Sequence, residues 1–360
     1  VLGPLPPRDG AETAAVLYTS GTTSRPKGVE ITHANYVWAA ELMARNTALT
    51  ERDRHAIACP FFHINAQTYS LLPALLAGAD VLLMERFSKS RWWDAVRTHG
   101  ATVASLVTSM IRMFMAAGPA AREGEHSLRL VGCGAVTPAF EERFGVRTIG
   151  WFGMTETITT PIVTSLNDPG RGGAIGFPSP GYALRLLDDE GRECEAGELG
   201  ELWVQGAPGV SLMKGYLKDP EATARTVQDG WLRTGDNLRR DEDGYLFYVN
   251  RAKDMIKRGG ENVAAGEVER VLMSHPKVYE AAVIAVPDPI LDEAVKAFVI
   301  PRDEAEPPSP EELIAHCRER LAAFKIPSEV ELRAELPRST LDKVAKKVLI
   351  AEERARRRPA

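Results

Sequence analysis

The feature that most constrains the fold is an alternation of short apolar runs with segments of helical periodicity in the first third of the chain. The apolar runs predict strands at residues 14–20, 56–62, 79–85 and 102–107. Between them, the spacing of apolar residues predicts helices at residues 35–49, 68–78 and 90–100. Strands that alternate with helices form largely parallel sheets, so we expect an α/β domain here.

The pattern changes twice further along the chain. From about residue 180, short apolar runs separated by Gly- and Asp-rich turns predict antiparallel hairpins. A second change, at residues 248–263, precedes a compact α+β pattern with a helix at 265–276 and strands at 280–286, 293–301 and 328–336. We therefore predict a large domain over residues 1–251 and a small domain over residues 252–360.

One helix start in the small domain is especially clear. Ser309, Pro310 and Glu312 match a capping box with proline in the first turn, which predicts a helix from residue 310 to 324. The charged tail, residues 352–360, is predicted to fray.

Composition excludes several classes of protein. The chain has 360 residues, 44% hydrophobic and 26% charged, with a net charge of −5, so no basic field suggests nucleic acid. No apolar run reaches the roughly 18 residues of a membrane span. The four cysteines lack CxxC spacing, which argues against a zinc site or a disulfide framework and favours the cytoplasm. The start, VLGPLPPRDG, resembles a Pro-rich linker within a longer chain rather than a signal peptide.

Residues 18–33, YTSGTTSRPKGVEITH, combine small residues, hydroxyl groups and a lysine directly after a predicted strand. A Walker-type loop needs GxxxxGK followed by Ser or Thr. Here five residues separate Gly21 from Lys27, and Gly28 follows the lysine, so the segment is not that motif. Its backbone N–H groups, its hydroxyls and Lys27 still suit phosphate binding, with an ordinary surface loop as the alternative on composition alone.

The same segment resembles the signature of the adenylate-forming superfamily, which includes acyl-CoA synthetases, nonribosomal adenylation domains and beetle luciferases. Further matches follow in the family order: FGMTE at 152–156, GWLRTGD at 230–236, VNRAKDMIKRGGENV at 249–263 and LPRSTLDK at 336–343. Several stretches are most similar to the crotonobetaine/carnitine-CoA ligase branch. The resemblance implies an N-terminally truncated large adenylate-forming domain with mixed sheets and a mobile α+β C-terminal lid. In the family the N-terminal part packs against these sheets, so we expect exposed apolar surface or poor solubility in this chain.

The resemblance implies a reaction in two steps: a carboxylate attacks the α-phosphate of ATP, and a thiol, here CoA, then displaces AMP. It assigns Mg²⁺ to Glu156, with Thr155 donating a hydroxyl nearby; a solvated surface acid is the alternative for Glu156 taken alone. The residues expected around the β- and γ-phosphates are Thr19, Ser20, Gly21, Thr22, Thr23 and Lys27.

The nucleoside is expected to contact four further residues. Gly134 and Phe152 are assigned to the adenine, where Phe152 replaces the tyrosine that is usual in the family. Asp236 is expected to accept hydrogen bonds from the ribose hydroxyls and Arg251 to reach the ribose or phosphate; a turn aspartate and a surface ion pair are the alternatives.

Lys343 is the residue expected to stabilise charge during adenylation. Asp342 stands where the family usually has glycine, and Lys346 and Lys347 are competing candidates. Lys253 lies at the expected hinge of the C-terminal lid. Gly259 and Gly260 are expected to let the backbone pass close to the pantetheine arm of CoA.

For the acyl pocket, His63, Trp151 and Ile158 are the candidates, and Met110 is a further one. Two interpretations of His63 are equally favoured. It lines the acyl pocket or gates the thiol, or it is a structural histidine at the edge of the core. A substrate with a quaternary ammonium group would be held by aromatic rings, with Trp92, Trp93 and Trp151 as candidates.

An acyl-CoA ligase using ATP, Mg²⁺, CoA and a small carboxylic acid is the preferred hypothesis. A module that loads a carrier protein, a luciferase-like oxygenase and a non-catalytic nucleotide-binding remnant remain as alternatives. We expect no nucleic-acid partner and no membrane span, and a homodimer is allowed.

Overall fold

The computed structural model describes residues 8–19, 27–118, 124–188, 190–251, 255–258, 261–288, 291–338 and 343–357, with backbone alone at 250, 251, 257, 261, 262 and 292. The chain divides into two compact units. The first unit contains residues 1–234 and 238–248, and the second contains residues 235–237 and 249–360. The domain boundary at 251/252 stays a prediction.

Up to residue 251, each of the three helices predicted in the first third of the chain overlaps a helix of the structure, and further helices follow. The helices are α1 (His33–Asn46), α2 (Leu72–Ala77), α3 (Lys89–His99), α4 (Thr108–Ala116), α5 (Pro138–Phe144) and α6 (Pro220–Thr226), with a π-helix at Asn65–Leu71 and a 3-10 turn at Thr155–Thr157. The predicted helix at 68–78 is therefore the end of the π-helix followed by α2.

The strands of this part fall into three sheets. They are β1 (Thr13–Thr19), β2 (Lys27–Thr32), β3 (Arg54–Ile57), β4 (Asp80–Leu83), β5 (Val103–Ser105), β6 (Leu130–Cys133), β7 (Arg147–Phe152), β8 (Ile162–Val163), β9 (Phe177–Pro178), β10 (Ala183–Leu187), β11 (Leu199–Gln205), β12 (Gly215–Tyr216), β13 (Val227–Gln228), β14 (Trp231–Arg240) and β15 (Leu246–Arg251). Strand β3 ends before the predicted residue 62.

The large sheet has the order β4-β3-β5-β6-β7-β8-β9 within the described part of the chain. Strands β4, β3, β5, β6 and β7 are parallel, which confirms the expectation from the strand–helix alternation. Every residue of β5 and β6 is buried. This is the pattern of strands covered on both faces, and separate cores lie around Phe140 and around Ile149.

Two smaller sheets complete this part. Strands β1, β2 and β12 form the small sheet, in which β2 pairs antiparallel with both neighbours. Strands β10 and β11 pair antiparallel, which confirms the hairpin prediction, and lie in one sheet with β13, β14 and β15, in which β13 also pairs antiparallel with β14. Large apolar side chains are exposed beside the edge of the large sheet. Leu75 and Leu76 on α2, and Leu83 on the edge strand β4, expose 53–60% of their surface.

The second unit is an α+β fold, as predicted. Its elements are β16 (Met255–Arg258), β17 (Glu261–Ala264), α7 (Ala265–Met273), β18 (Val278–Asp288), β19 (Asp292–Pro301), α8 (Pro310–Arg318), a 3-10 turn at Ala323–Lys325, β20 (Glu329–Leu332) and α9 (Lys346–Arg356). The described strands have the order β17-β16-β19-β18, and β20 pairs parallel with β19.

The predicted capping box at α8 is confirmed, because Ser309 Oγ accepts from the Glu312 amide at 3.1 Å. The helix ends at Arg318, before the predicted residue 324. The prediction of a frayed tail was wrong for residues 352–356, which belong to α9. Near the end of α9, Arg356 and Arg357 form ion pairs with glutamates of β20. These tertiary contacts stabilise the end of the helix, and they cannot be seen in the local sequence.

Candidate active site

The large sheet gathers several candidate residues at one edge. Because β3, β5, β6 and β7 are parallel neighbours, their carboxyl ends lie side by side. His63 follows β3, Gly134 follows β6, and Phe152 ends β7. The carboxyl edge of a parallel sheet is the usual ligand-binding edge of α/β folds.

The π-helix is tied to this edge by side chains. The Ser105 hydroxyl at the end of β5 donates to Asn65 Oδ1 at 2.8 Å. The Thr68 hydroxyl donates to the carbonyl oxygen of Ile158 at 2.7 Å. The π-helix therefore contacts both β5 and the segment that follows FGMTE; π-helical turns occur frequently at functional sites.

The backbone after the FGMTE motif is strained at Ile158. This residue has φ 63° and ψ −43° and is fully buried. The Thr159 amide donates to the Thr157 carbonyl at 2.6 Å, so the three residues form a γ-turn with positive φ. For a β-branched residue such a conformation costs about 1–3 kcal/mol, and strain of this kind clusters at functional sites.

Glu156 is a buried carboxylate inside this motif, 6% exposed. Its Oε1 accepts a hydrogen bond from the Tyr216 hydroxyl at 2.9 Å, and its backbone carbonyl accepts from the Met213 amide at 2.9 Å. A hard oxygen ligand in this position fits Mg²⁺ held jointly with nucleotide phosphates, since Mg²⁺ commonly uses only one or two protein carboxylates. The described residues contain no group of three or more His, Cys, Asp or Glu side chains arranged to hold a metal on their own.

Tyr216 also contacts the lysine of the Thr/Ser/Gly-rich segment. Lys27 Nζ lies 4.5 Å from the centroid of the Tyr216 ring, and the Thr19 hydroxyl donates to the Lys27 carbonyl at 3.5 Å. Burial, together with the negative charge of Glu156, raises the pKa of Tyr216, so its hydroxyl stays protonated and donates. Thr19, Lys27 and Glu156 are thus brought together, while Ser20, Gly21, Thr22 and Thr23 lie outside the described residues.

Phe152 and Gly134 occupy neighbouring strand ends. The Phe152 ring is partly exposed and stacks on Tyr248, with centroids 6.5 Å apart and planes at 25°. A Cβ at Gly134 would lie 2.9 Å from Thr108 Oγ1, so the backbone passes this hydroxyl closely. Both features suit a site lined by an aromatic face and bare backbone.

The acyl-pocket candidates differ in exposure. Trp151 and Ile158 are buried in the same core, and the Trp151 ring packs edge-on against Tyr69 at 5.6 Å. Gly132 makes room for this ring, because a Cβ there would meet it at 1.8 Å. His63 is partly exposed and its ring contacts Phe62 at 4.4 Å.

The remaining aromatic and sulfur candidates belong to another core. Met110 and Trp92 are buried in the core around Phe140. The Trp93 ring stacks on Phe144 at 4.7 Å. These contacts give Trp92 and Trp93 a packing role in that core.

In the second unit, Asp236 is 2% exposed and follows Gly235, whose φ of 69° suits glycine. Lys343 is exposed and precedes Val344, which bridges to Arg338. Lys346 lies 2.7 Å from Glu269. The structure describes only the backbone of Arg251, and Lys253, Gly259, Gly260 and Asp342 lie outside the described residues.

Tyr216 is a residue of the candidate site that was not predicted from the sequence. It lies in a two-residue strand, which is too short to show periodicity, and Glu156 is 60 positions away. The only available signal was an aromatic residue after glycine in the apolar stretch LMKGYL. All four cysteines are free and buried.

Among the helices of the described residues, none combines the length and the apolar character that crossing a bilayer requires. A sequence model of AMP-binding enzymes matches residues 3–217, and one of the AMP-binding enzyme C-terminal domain matches residues 267–343.

Curated relatives include the crotonobetaine/carnitine–CoA ligase of Salmonella paratyphi B, 42% identical over 344 residues, which cover 94% of this chain and 66% of that protein. The ligase of the same name from Escherichia coli O1:K1 is 41% identical, over 96% of this chain and 68% of the relative. The chain thus spans about two thirds of the length of these relatives.

Two solved structures show the same fold. ATP-bound MatB from Rhodopseudomonas palustris has a TM-score of 0.88 at 29% identity, over 96% of this chain and 69% of that one. The o-succinylbenzoate CoA synthetase MenE from Bacillus subtilis, in complex with ATP and a magnesium ion, has a TM-score of 0.83 at 33% identity, over 94% and 70%. With a family model matched over residues 3–217, the chain belongs to the AMP-binding enzyme family.

Proposed function

We propose that the protein is an AMP-forming acid–thiol ligase that makes acyl-CoA. In the first step, a carboxylate oxygen attacks the α-phosphorus of ATP and the bond to pyrophosphate breaks, giving acyl-AMP. In the second step, the CoA sulfur attacks the acyl carbon, the thiol proton is lost and AMP leaves. Family membership and relatives named as CoA ligases support this reaction.

The observation that carries the proposal is the contact of both Lys27 and Glu156 with Tyr216. It brings a positive charge at the end of the Thr/Ser/Gly-rich segment near a buried carboxylate. Such a pair suits a polyanion that arrives with a divalent cation. Mg²⁺, when bound with ATP, would neutralise phosphate charge, and Glu156 is the ligand we propose for it. MenE in complex with ATP and a magnesium ion is a relative of matching fold.

The nucleotide is proposed to contact a larger set of residues. Backbone at the carboxyl edge and the Phe152 face would receive the adenine, and Asp236 would accept from the ribose hydroxyls. The full proposed set is Thr19, Ser20, Gly21, Thr22, Thr23, Lys27, Gly134, Phe152, Thr155, Asp236 and Arg251.

Lys343 is proposed to stabilise the charge that develops in the first step. Its exposure and its place in the LPRSTLDK stretch favour Lys343 over Lys346, which is partly buried. Lys253 is proposed as the hinge, and Gly259 and Gly260 as the segment that admits the pantetheine arm.

For the acid, we propose the class of carnitine and crotonobetaine, on the names of the curated relatives. His63 is the proposed contact at the mouth of the acyl pocket, because it is partly exposed, and Trp151 and Ile158 would form its buried wall. The free cysteines support a cytoplasmic location. A homodimer is allowed by the proposal but not required.

The test uses the protein expressed from its full reading frame with Mg-ATP, CoA and a panel of acids: carnitine, crotonobetaine, short and medium fatty acids, and aryl acids. Mass spectrometry detects acyl-CoA and AMP. We expect Lys343→Ala to slow acyl-AMP formation about a hundredfold or more, while thioester formation from added acyl-AMP changes little. Lys347→Ala, which removes a neighbouring exposed lysine, is the matched control.

The products distinguish the alternatives. Acyl-CoA that is lost in Lys343→Ala and retained in Lys347→Ala supports the ligase and identifies the acid class. AMP without acyl-CoA would favour a carrier protein as the thiol acceptor. No AMP with any acid would contradict the proposal and favour a non-catalytic nucleotide-binding protein.

A further inference from the structure

Tyr216 belongs to none of the motifs that identify the family in the sequence analysis, yet it is buried at the candidate site, 6% exposed. It lies in β12, opposite Val29 of β2. Its hydroxyl is 2.9 Å from Glu156 Oε1, and this carboxylate is equally buried. A hydrogen bond from a buried donor to a carboxylate is strong and directional because one partner carries charge.

The ring of Tyr216 makes a second contact with the site. Lys27 Nζ lies 4.5 Å from the ring centroid, within the range of a cation–π interaction. Lys27 is the first residue of β2 and pairs with Thr19 across the small sheet. One tyrosine therefore contacts a base from one segment through its face and an acid from another through its hydroxyl.

The backbone around Tyr216 is fixed by hydrogen bonds of its own. The Tyr216 amide donates to Thr223 Oγ1 at 2.8 Å, and the Leu217 amide donates to the Gly28 carbonyl at 2.7 Å. Nearby, the Met213 amide donates to the Glu156 carbonyl at 2.9 Å. Residues 213–217 thus hold Glu156 by its backbone and by its side chain, against a segment anchored to β2 and α6.

We propose that Tyr216 is a positioning residue for Glu156: its hydroxyl sets the orientation of the carboxylate that receives a divalent cation bound with ATP, and its ring sets the position of Lys27. This inference rests on the proposed function. Partners that orient a ligating carboxylate typically change metal affinity by 10- to 100-fold when they are removed. Tyr216 does not itself touch the reacting atoms in this assignment.

The test measures metal binding directly, without turnover. The full-reading-frame protein is titrated with Mn²⁺ in the presence of α,β-methylene-ATP, and free Mn²⁺ is followed by electron paramagnetic resonance. Tyr216→Phe removes only the hydroxyl and keeps the ring for Lys27. We expect it to weaken nucleotide-dependent Mn²⁺ binding about tenfold, with little change in affinity for the metal-free nucleotide.

Tyr182→Phe is the matched control. Tyr182 is another buried tyrosine of the same unit, and its hydroxyl donates to the backbone carbonyls of Thr157 and Ser211 at 3.1 and 2.9 Å. Losing this hydroxyl removes a buried hydrogen bond near the same motif and leaves the Glu156 carboxylate contact in place. We expect parent-like Mn²⁺ affinity.

A double-mutant cycle separates positioning from general damage. In a Glu156→Gln background, Tyr216→Phe should change Mn²⁺ affinity less than about twofold, because the hydroxyl acts through the carboxylate. Parent-like binding by Tyr216→Phe, or an equal loss in both backgrounds, would overturn the inference alone. If the parent protein itself binds no Mn²⁺ with the nucleotide, the proposed function fails and the inference fails with it.

Discussion

The two units bury basic side chains in opposite ways. In the first unit, His55 on β3 is fully buried, and neither ring nitrogen has a hydrogen-bond partner among the described residues. In the second, Lys296 on β19 is 6% exposed and lies within 3.4 Å of carboxylates from Glu329, Glu331 and Glu353. Both side chains lie in strands of a sheet. They differ in their partners, because carboxylates pair directly with Lys296, whereas no carboxylate in the described part of the chain is hydrogen-bonded to the His55 ring.

The comparison shows that the partners, and not burial alone, decide whether a buried base carries charge. Burial lowers the pKa of His55 to about 4; Asp53 opposes this and Arg129 adds to it. Burial also acts to lower the pKa of Lys296, but the hydrogen bonds that Lys296 donates to Glu353 and Glu331 outweigh this effect, and the net pKa is raised. The first unit thus contains a neutral base and the second a completed ion cluster.

The largest effect should come from breaking the ion cluster. Lys296→Met keeps the volume and removes the charge, leaving carboxylates that include the buried Glu353. We expect the second unit to lose about 4 kcal/mol of unfolding free energy, since removing one partner of a buried pair leaves uncompensated charge. Hydrogen exchange of peptides from β18 and β19 measures it.

Lys277→Met is the control for this variant, because Lys277 pairs with Glu312 at 3.5 Å with both side chains exposed. It should cost at most about 1 kcal/mol. Equal losses of unfolding free energy in the two variants would contradict the prediction that the buried ion pairs of Lys296 stabilise the protein more than the exposed pair of Lys277.

Acid should act on the same cluster. Burial by itself raises the pKa of Glu331 and Glu353, but Lys296, together with Arg333 at Glu331 and Arg357 at Glu353, outweighs it, and both pKa values fall below the ordinary 4.5. Their contribution to stability is therefore present above pH 4.5 and is lost as the pH falls through the lowered folded values. In Lys296→Met this acid-induced loss should become shallower.

His55 should produce a smaller loss in a different pH window. Its folded pKa of about 4 lies below the ordinary 6.5, so its contribution is fully present above pH 6.5 and is lost as the pH falls toward 4. The expected loss is about 3 kcal/mol, which His55→Val should abolish. All six tryptophans, Trp38, Trp92, Trp93, Trp151, Trp203 and Trp231, lie in the first unit, so tryptophan fluorescence during urea unfolding reports this unit.

The control for this window is His99→Gln, since His99 is exposed at the end of α3. It should leave the pH dependence between 6.5 and 4.5 unchanged. Asp53, whose pKa falls to about 2 despite burial because Arg129 and Thr102 hydrogen-bond to it, loses its contribution only below pH 3.8. If His55→Val still loses unfolding free energy steeply as the pH falls from 6.5 toward 4, groups other than His55 cause the acid sensitivity.

The smallest effect compares helix starts in the two units. Ser309 caps α8 through the Glu312 amide, whereas the Ser88 hydroxyl at the start of α3 contacts Ser90 Oγ at 3.2 Å and makes no cap bond. Ser309→Ala should cost about 1 kcal/mol and Ser88→Ala about a few tenths. Urea unfolding tests the difference, with the free energy of unfolding measured for the second unit in Ser309→Ala and for the first unit in Ser88→Ala.

These contrasts explain what the sequence could predict. The parallel order of β3 to β7 and the start of α8 depend on local patterns: alternation of elements and a capping box within a few residues. Helix α9 was missed because its stability comes from tertiary ion pairs, including Glu353 with Lys296. The π-helix has no sequence period that separates it from an α-helix.

The site divides in the same way. Lys27 lies in a segment whose residue types suit phosphate binding, whereas Glu156 was assigned to the metal through the resemblance of FGMTE to a family motif. Their common partner Tyr216 has neither signal, since a single tyrosine after a glycine carries no pattern, and only the pairing of β12 with β2 brings it to them. The roles assigned to Asp236 and Lys343 remain predictions.

The γ-turn at Ile158 has a consequence for protein engineering. Glycine would suit this backbone, but a fully buried side chain suits the core, so no natural residue satisfies both demands at once. The backbone and the core therefore favour different residues at this position, which is a case of local frustration. A substitution chosen to improve core packing would keep the backbone strain, and one chosen to relieve the strain would lose core packing. A stabilised version of this protein should therefore leave Ile158 unchanged, because its γ-turn directly follows Glu156 of the candidate site.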